Sequence, residues 1–211
     1  MPLQNRATPF GDIVALPGRG LVMGNRGVLH DDGRQIVRSW QTQRWIACRL
    51  AFRGRHRIIM RPRSYTELFF LDEATALCAG HRPCAECRNA DYKRFHTLWE
   101  HCFGAPVSAD IIDTALHAER VAGRAKRTYR AELSTLPSGT YIAVDGIPLL
   151  VWNDGLQIWS DSGYRTTGPR PKSGDVEVLT PPSIVKIFDA GYLPFVHHTS
   201  SAPETRMRST F

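Results

Sequence analysis

The sequence of 211 residues lacks any apolar run long enough to span a bilayer, and it lacks a recognisable signal peptide. Its five cysteines stand at irregular positions, which is not the spacing of a disulfide framework. These absences argue against an integral membrane protein and against a small disulfide-rich secreted domain. We therefore expect a protein of the reducing cytoplasm that does not enter a membrane.

The usual phosphate-binding fingerprints are also lacking. The glycine-rich residues 18–30 are not followed by the lysine and Ser/Thr of an NTPase phosphate-binding loop. A strand and a helix spaced for dinucleotide binding are missing around them as well. The pair Gly24-Asn25 instead predicts the turn of a β-hairpin.

Acidic residues are the minority among the charged side chains. The chain has 27 Lys and Arg against 20 Asp and Glu, a formal net charge of +7, and arginine supplies most of the positive charge. Arginine suits phosphate recognition because its planar guanidinium can donate two parallel hydrogen bonds. The composition therefore predicts an anionic partner, such as a nucleic acid. The alternative is that these arginines are solvated surface charge that aids solubility.

A metal half-site is present in the segment Pro83-Cys84-Ala85-Glu86-Cys87. Two thiols three residues apart can bind one metal ion from a single turn, and Pro83 restricts the backbone as it enters that turn. Because two thiols do not complete a metal site, the remaining ligands must come from elsewhere in the chain.

The sequence around this half-site resembles a known family over residues 44–89. An aromatic pair, a short Ala-rich helix at residues 72–78 and the pattern A-G-x-R-P-C-x-x-C carry the resemblance, in Phe69, Phe70, Ala79, Gly80, Arg82, Pro83, Cys84 and Cys87. They resemble the zinc-binding module at the N-terminus of the Ada methylphosphotriester DNA repair proteins. The resemblance implies a Zn²⁺ site, DNA binding and an upstream C-x-x-x-C pair, one cysteine of which accepts a methyl group from DNA.

The upstream pair is only half present. Cys48 corresponds to the first cysteine, whereas Phe52 stands where the second would be. The next residue of ligand type is His56, so the expected zinc ligands are Cys48, His56, Cys84 and Cys87, with His81 and His117 as alternatives for the fourth position. Because imidazole is neutral, such a site carries less negative charge than four thiolates, and methyl transfer is correspondingly less expected.

Arginines near the motif are the expected contacts to DNA phosphates. They are Arg49, Arg53, Arg55, Arg57 and Arg82.

Two other functions compete with DNA binding. Zinc deaminases of nucleosides combine H-x-E with a later P-C-x-x-C, and this chain has His117-Ala118-Glu119 after Cys87, in the reverse order. A nucleic-acid-directed or nucleotide-directed hydrolase would draw its catalytic residues from Tyr65, Glu67, His81, His117 and Glu119. In the third interpretation the metal only stabilises a domain that binds another protein.

The expected fold class is α+β. A small zinc-binding module of β-hairpin and helix is followed by two helices, at residues 88–103 and from residue 108, and then by a C-terminal antiparallel β meander. The expected segments are a disordered leader 1–9, a zinc-binding domain 10–136, a β-rich subdomain 137–199 and a flexible tail 200–211. Within the C-terminal part, residues 162–173 are expected to form a loop rich in glycine and proline.

Overall fold

The computed structural model describes residues 1–56, 58–104, 106–123 and 125–200. Over these residues the fold is mixed α+β, with the α-helices α1 (Glu73–Cys78), α2 (Asn89–Phe103), α3 (Ala109–Arg120) and α4 (Pro182–Asp189). None of these helices is both long and apolar enough to cross a membrane. The expected tail lies, beyond residue 200, outside the described residues.

The helices begin where local capping groups favour them. The Asp72 side chain accepts a hydrogen bond from Thr75 N at 2.8 Å, and the Ser108 side chain accepts one from Ile111 N at 3.3 Å. The α2 helix ends at Gly104, whose φ is +90°. Because these signals lie within a few residues of each helix, the sequence predicts α1, α2 and α3 closely.

The N-terminal sheet is mixed and built from six short strands in the order β2-β1-β5-β3-β4-β6. The strands are β1 (Arg6–Ala7), β2 (Ile13–Val14), β3 (Val22–Asn25), β4 (Ile46–Cys48), β5 (Leu68–Phe70) and β6 (Arg82–Pro83). The β1–β5 and β4–β6 pairs are parallel, and the other neighbours are antiparallel. Two parallel strands therefore bring Cys48 close to the Cys84 turn.

The N-terminal residues are not a disordered leader. Strand β1 pairs with both β2 and β5, and Asn5 and Ala7 are buried. Phe69 N donates to Asn5 O at 2.8 Å, and the Arg6 guanidinium lies 5.0 Å from the centre of the Phe69 ring. The expectation from polarity and proline content was wrong because long-range backbone hydrogen bonds to β5 fix this segment.

Gly24 is likewise not in a turn. It lies inside β3, where a Cβ atom would come within 2.4 Å of Ile46 O on β4. The glycine permits the close approach of two strands, so the hairpin prediction for Gly24-Asn25 was wrong.

The C-terminal sheet is the expected antiparallel meander. Its order is β13-β12-β11-β10-β14-β9, and its strands are β9 (Tyr129–Glu132), β10 (Tyr141–Val144), β11 (Ile147–Trp152), β12 (Gly155–Ser160), β13 (Gly163–Pro169) and β14 (Asp175–Val178). Residues 163–169 pair with β12, so the loop prediction for this stretch was wrong. The sheet also recruits β9, which precedes the expected boundary at residue 137.

Helix α1 is entirely buried and contributes to more than one part of the core. Its Ala74 and Cys78 pack with Tyr141, Leu150 and other residues of the C-terminal sheet. Its Leu77 packs instead with apolar residues of the three longer helices, including Phe95, Trp99, Ile112, Leu116, Ile184 and Ile187. The parts expected as two domains are thus joined through α1.

Asp72 and Glu73 accept hydrogen bonds that connect the C-terminal segment to the start of α1. Asp72 Oδ2 accepts from Tyr164 Oη at 2.7 Å and from His197 N at 2.9 Å. Glu73 accepts from Tyr192 Oη at 2.6 Å and from Phe195 N at 2.9 Å. Both carboxyl groups are buried, and burial raises the pKa of Asp72. These hydrogen bonds offset the cost of removing carboxyl oxygens from water.

Asp72→Asn is expected to lower the free energy of unfolding by about 1–3 kcal/mol. Whichever way the new amide is turned, its NH₂ group faces a buried backbone N–H, either of Thr75 or of His197. The measurement is urea unfolding followed by circular dichroism. The exposed Asp32→Asn is the matched control and should unfold like wild type; equal stability of both variants would contradict the role of Asp72.

Candidate metal centre

Strands β4 and β6 bring the two parts of the cysteine set together. They pair in parallel, with Ile46 opposite Arg82 and Ala47 opposite Pro83. Cys84 N then donates to Ala47 O at 2.9 Å. Since Cys48 is the last residue of β4 and Cys84 follows β6, the two cysteines emerge at the same end of neighbouring strands.

Cys48, Cys84 and Cys87 form a cluster, called here the cysteine cluster. Their sulfur atoms all lie within 4.8 Å of one another. Ligands about 2.3 Å from a tetrahedral zinc ion lie roughly 3.8 Å apart, so a small shift would bring the three sulfurs into coordination distance. Apolar side chains pack around the cluster, among them Met23, Ile46, Phe52 and Phe69. The three cysteines could therefore hold a metal ion.

The three thiols of the cysteine cluster differ in acidity without a metal. The Cys48 thiol donates a hydrogen bond to Cys84, and this bond, with the backbone N–H groups of Cys87 and Glu86, lowers the pKa of Cys84 to about 5. The same bond, together with burial, raises the pKa of Cys48. Burial also raises the pKa of Cys87. Cys84 thus ionises first, and metal binding would have to displace the protons of the other two thiols.

His56 is not brought into the cysteine cluster. Among the described residues, the ligand-type side chains grouped closely enough to share an ion are the three cysteines alone. The described part of the segment around His56 is irregular, with positive φ at Arg53 (+50°), Gly54 (+64°) and Met60 (+51°). His56 is exposed and lines a separate cavity of about 490 Å³ together with Phe52.

The two alternative histidines also lie away from the cysteine cluster. His81 is fully buried, 4.6 Å from the Phe70 ring, and Arg26 Nε donates to its Nε2 at 3.4 Å. Burial and the neighbouring arginines lower the pKa of His81 well below its usual value. His117 packs edge-on against Trp40, with ring centres 4.5 Å apart. Both imidazoles serve packing in this structure.

The candidate catalytic residues do not lie together in one site. Glu119 accepts from Ser183 N at 3.0 Å and from Ser183 Oγ, and so binds the first turn of α4. His117 is two residues away on α3, a spacing that does not place side chains on the same helix face. Glu67 is buried and accepts from Met60 N at 2.8 Å, and the half-buried Tyr65 lies two residues before it. These side chains have separate structural partners and do not converge with the cysteines.

The predicted DNA-contacting arginines divide into exposed and buried ones. Arg49, Arg53 and Arg55 are exposed, and the latter two lie beside Glu86 at 3.9 and 2.6 Å. Arg57 lies outside the described residues.

The prediction that Arg82 contacts DNA phosphates does not agree with its place in the fold. Arg82 is buried, and its Nε and Nη2 donate to Asp113 at 2.9 and 2.7 Å. Its guanidinium is therefore committed to a carboxylate inside the fold and is removed from the expected phosphate contacts.

A cavity lies beside Cys48 that nothing in the sequence indicates. It has a volume of about 240 Å³ and is lined by Cys48, Arg49 and Arg88, with Glu73. Arg88 directly follows Cys87, which is the one local signal that could have suggested its place. Its pairing with Glu73 at 2.7 Å depends on long-range packing and has no sequence signature.

Comparison with known proteins gives no information on this site. No protein-family model matches the chain, and no significant match was found among curated proteins or solved structures.

Removing a cysteine of the cluster should release metal. We expect one zinc ion per purified wild-type chain, and Cys48→Ser should lower zinc affinity more than about 100-fold, because loss of a residue that only hydrogen-bonds to a metal ligand already costs roughly 10- to 100-fold. Elemental analysis and competition with a chromophoric chelator measure both quantities. Cys102→Ser, which lies outside the cluster, is the control. Because His56 also lies outside it, His56→Ala should retain the metal; full retention in Cys48→Ser would instead exclude the cluster.

The metal-free protein should show one unusually acidic thiol. With the pKa of Cys84 lowered to about 5, its alkylation rate should level off above about pH 6, because its thiolate is then fully formed. The pKa of Cys102 is raised by burial, so its rate should still rise above about pH 8. Iodoacetamide labelling with peptide mass spectrometry measures both. A Cys84 rate that rises in parallel with that of Cys102 would contradict the hydrogen bond from Cys48.

Proposed function

We propose that this chain is a zinc-binding protein that binds DNA and resembles the Ada metal-binding module. The observation that carries the proposal is the convergence of Cys48, from a distant part of the chain, with Cys84 and Cys87. In that resemblance Cys48 stands for the upstream cysteine, and the contact between β4 and β6 supplies the geometry that such a role needs.

Zinc is the metal that fits this donor set best. Three thiolates in apolar surroundings favour soft or borderline ions, and zinc accepts tetrahedral thiolate sites. Bound zinc would hold all three sulfurs as thiolates and supply the charge that stabilises them. All five cysteines are free, which agrees with a reducing compartment such as the cytoplasm.

The cavity beside Cys48 supports a role for this cysteine beyond holding metal. The exposed Arg49 lines that cavity with it, whereas Arg88 is already paired with Glu73 and Asp91. An anionic group entering the cavity would therefore meet the charge of Arg49 close to the sulfur. A DNA phosphate is the anion that the positive net charge of the chain favours. Zinc and a nearby cation would together hold Cys48 as a thiolate facing the backbone of a bound strand.

DNA affinity should depend on Arg49 and on salt. Arg49 is exposed and adjoins Cys48, so Arg49→Gln should weaken duplex binding several-fold and reduce the salt dependence by about one counterion. Fluorescence anisotropy with a labelled duplex over a range of potassium chloride concentrations measures both. The control is Arg165→Gln, an exposed arginine of the C-terminal sheet that changes net charge equally.

Two results would overturn the proposal. One is the absence of duplex binding at low salt, and the other is equal weakening by the Arg49 and Arg165 substitutions, which would reduce the effect to net charge. Mass spectrometry of the zinc-loaded protein after incubation with methylphosphotriester DNA then separates DNA binding from repair. A methyl group on Cys48, balanced by a phosphodiester on the DNA, would show Ada-like transfer.

A further inference from the structure

A third cavity, called here the basic cavity, lies away from the cysteine cluster. Its volume is about 200 Å³, and it lies where residues 10–13, the end of α3 and the β7–β8 hairpin (Val121–Ala122 and Ala125–Lys126) meet. Its lining includes three cationic side chains, Arg26, Arg120 and Lys126, and the aromatic rings of Trp40 and Trp45.

The two arginines are buried against one indole ring. The guanidinium carbons of Arg26 and Arg120 lie 4.1 and 4.0 Å from the centre of the Trp45 ring. Their relative exposures are 1% and 2%, so neither charge is solvated by bulk water. Burial lowers the pKa of each to about 9, which still leaves both charged at neutral pH. Cation–π contacts recover only part of the lost hydration.

No carboxylate is hydrogen-bonded to these three cations among the described residues. Arg26 Nη1 donates to Gly11 O at 2.9 Å, Arg120 donates to the carbonyls of Gly80 and Gln43 at 2.6 Å, and Lys126 Nζ donates to Cys78 O at 2.7 Å.

Two nitrogens of the buried guanidiniums, Arg26 Nη2 and Arg120 Nε, have no hydrogen-bond partner within the described part of the chain. Asp12 is the acidic residue of the lining, and it is exposed. Buried charges are normally paired, so this concentration of positive charge fits a site for an anion from outside the chain.

The motif around the cysteines also positions this site. Gly80 has φ +84°, and a Cβ atom there would lie 2.4 Å from Arg120 Cδ. His81 follows and accepts from Arg26 Nε. The residues Gly80 and His81 therefore fix the two guanidiniums, while Cys84 and Cys87 of the same motif serve the cysteine cluster.

We propose that the basic cavity binds a phosphate group, as inorganic phosphate or as a small phosphate monoester. Arginine donors match the tetrahedral oxygens of phosphate, and Lys126 adds a compact charge at the less buried side. The Trp40 ring is half-buried in the lining and offers an apolar surface to the organic part of a monoester. This proposal does not depend on DNA binding or on zinc chemistry.

Binding is tested by titrating the full chain with inorganic phosphate at constant ionic strength. Two tryptophans line the cavity, so intrinsic fluorescence should change saturably, and calorimetry should give one site per chain. Lys126→Gln should raise the dissociation constant about tenfold, because a charge-assisted hydrogen bond is lost. Asp12→Asn should lower it by about two- to fivefold, because a nearby repulsive charge is removed. Lys93→Gln, an exposed residue of α2, is the control for net charge and should bind like wild type.

A comparison of two ligands identifies the source of the phosphate. Tighter binding of a nucleoside 5′-monophosphate than of inorganic phosphate would assign a monoester, and the reverse order would assign the free ion. The proposal is overturned if neither phosphate compound gives a saturable signal, or if Lys126→Gln and Lys93→Gln bind equally.

Two further variants keep the test decisive. If Lys126→Gln fails to fold, Asp12→Asn still tests the sign of the electrostatic effect at an exposed position, and unchanged affinity there would overturn the proposal. Arg49→Gln should leave phosphate affinity unchanged, so failure of DNA binding and failure of the basic cavity are distinguishable.

Discussion

The packing of the C-terminal segment and of the cysteine-bearing turn depends on the hydrogen bonds that the buried carboxyl groups of Asp72 and Glu73 accept. Asp72 holds Tyr164 and the backbone at His197, which ties the C-terminal segment to α1. Glu73 also accepts from Arg88 Nη2 at 2.7 Å, and Arg88 N donates in turn to Cys84 O at 3.0 Å. One pair of adjacent acidic residues thus stabilises both the joint between the sheets and the turn that carries the cysteines.

The sequence predicts those elements whose signals are local. The caps Asp72 and Ser108 and the three- and four-residue apolar spacing mark the helices, and the turn pairs Asp145-Gly146 and Asn153-Asp154 precede strands of the meander. The Cys84-x-x-Cys87 turn can be predicted for the same reason. Cys48 could be added only through the family resemblance, because nothing near it indicates that β4 pairs with β6.

What could not be predicted depends on contacts distant in sequence. The composition of residues 58–60 favours a strand, but no neighbouring strand pairs with them in the described structure, and His56 is left outside the cysteine cluster. Arg82 and Arg49 both lie near the motif. Arg82 is buried and forms an ion pair with Asp113 on α3, whereas Arg49 is exposed. Nothing in the sequence indicates either that Arg26 and Arg120 contact the same ring, that of Trp45.

The parallel pair of β4 and β6 carries residues of both candidate sites. Trp45, of the basic cavity, precedes β4, and its backbone O accepts from Arg82 N at 3.1 Å. Cys48 is the last residue of β4, and Cys84 directly follows β6. A metal and an anion bound near the two ends of this short ladder would both act on its alignment. By thermodynamic reciprocity, any factor by which a metal changes the affinity for an anion must equal the factor by which that anion changes the affinity for the metal.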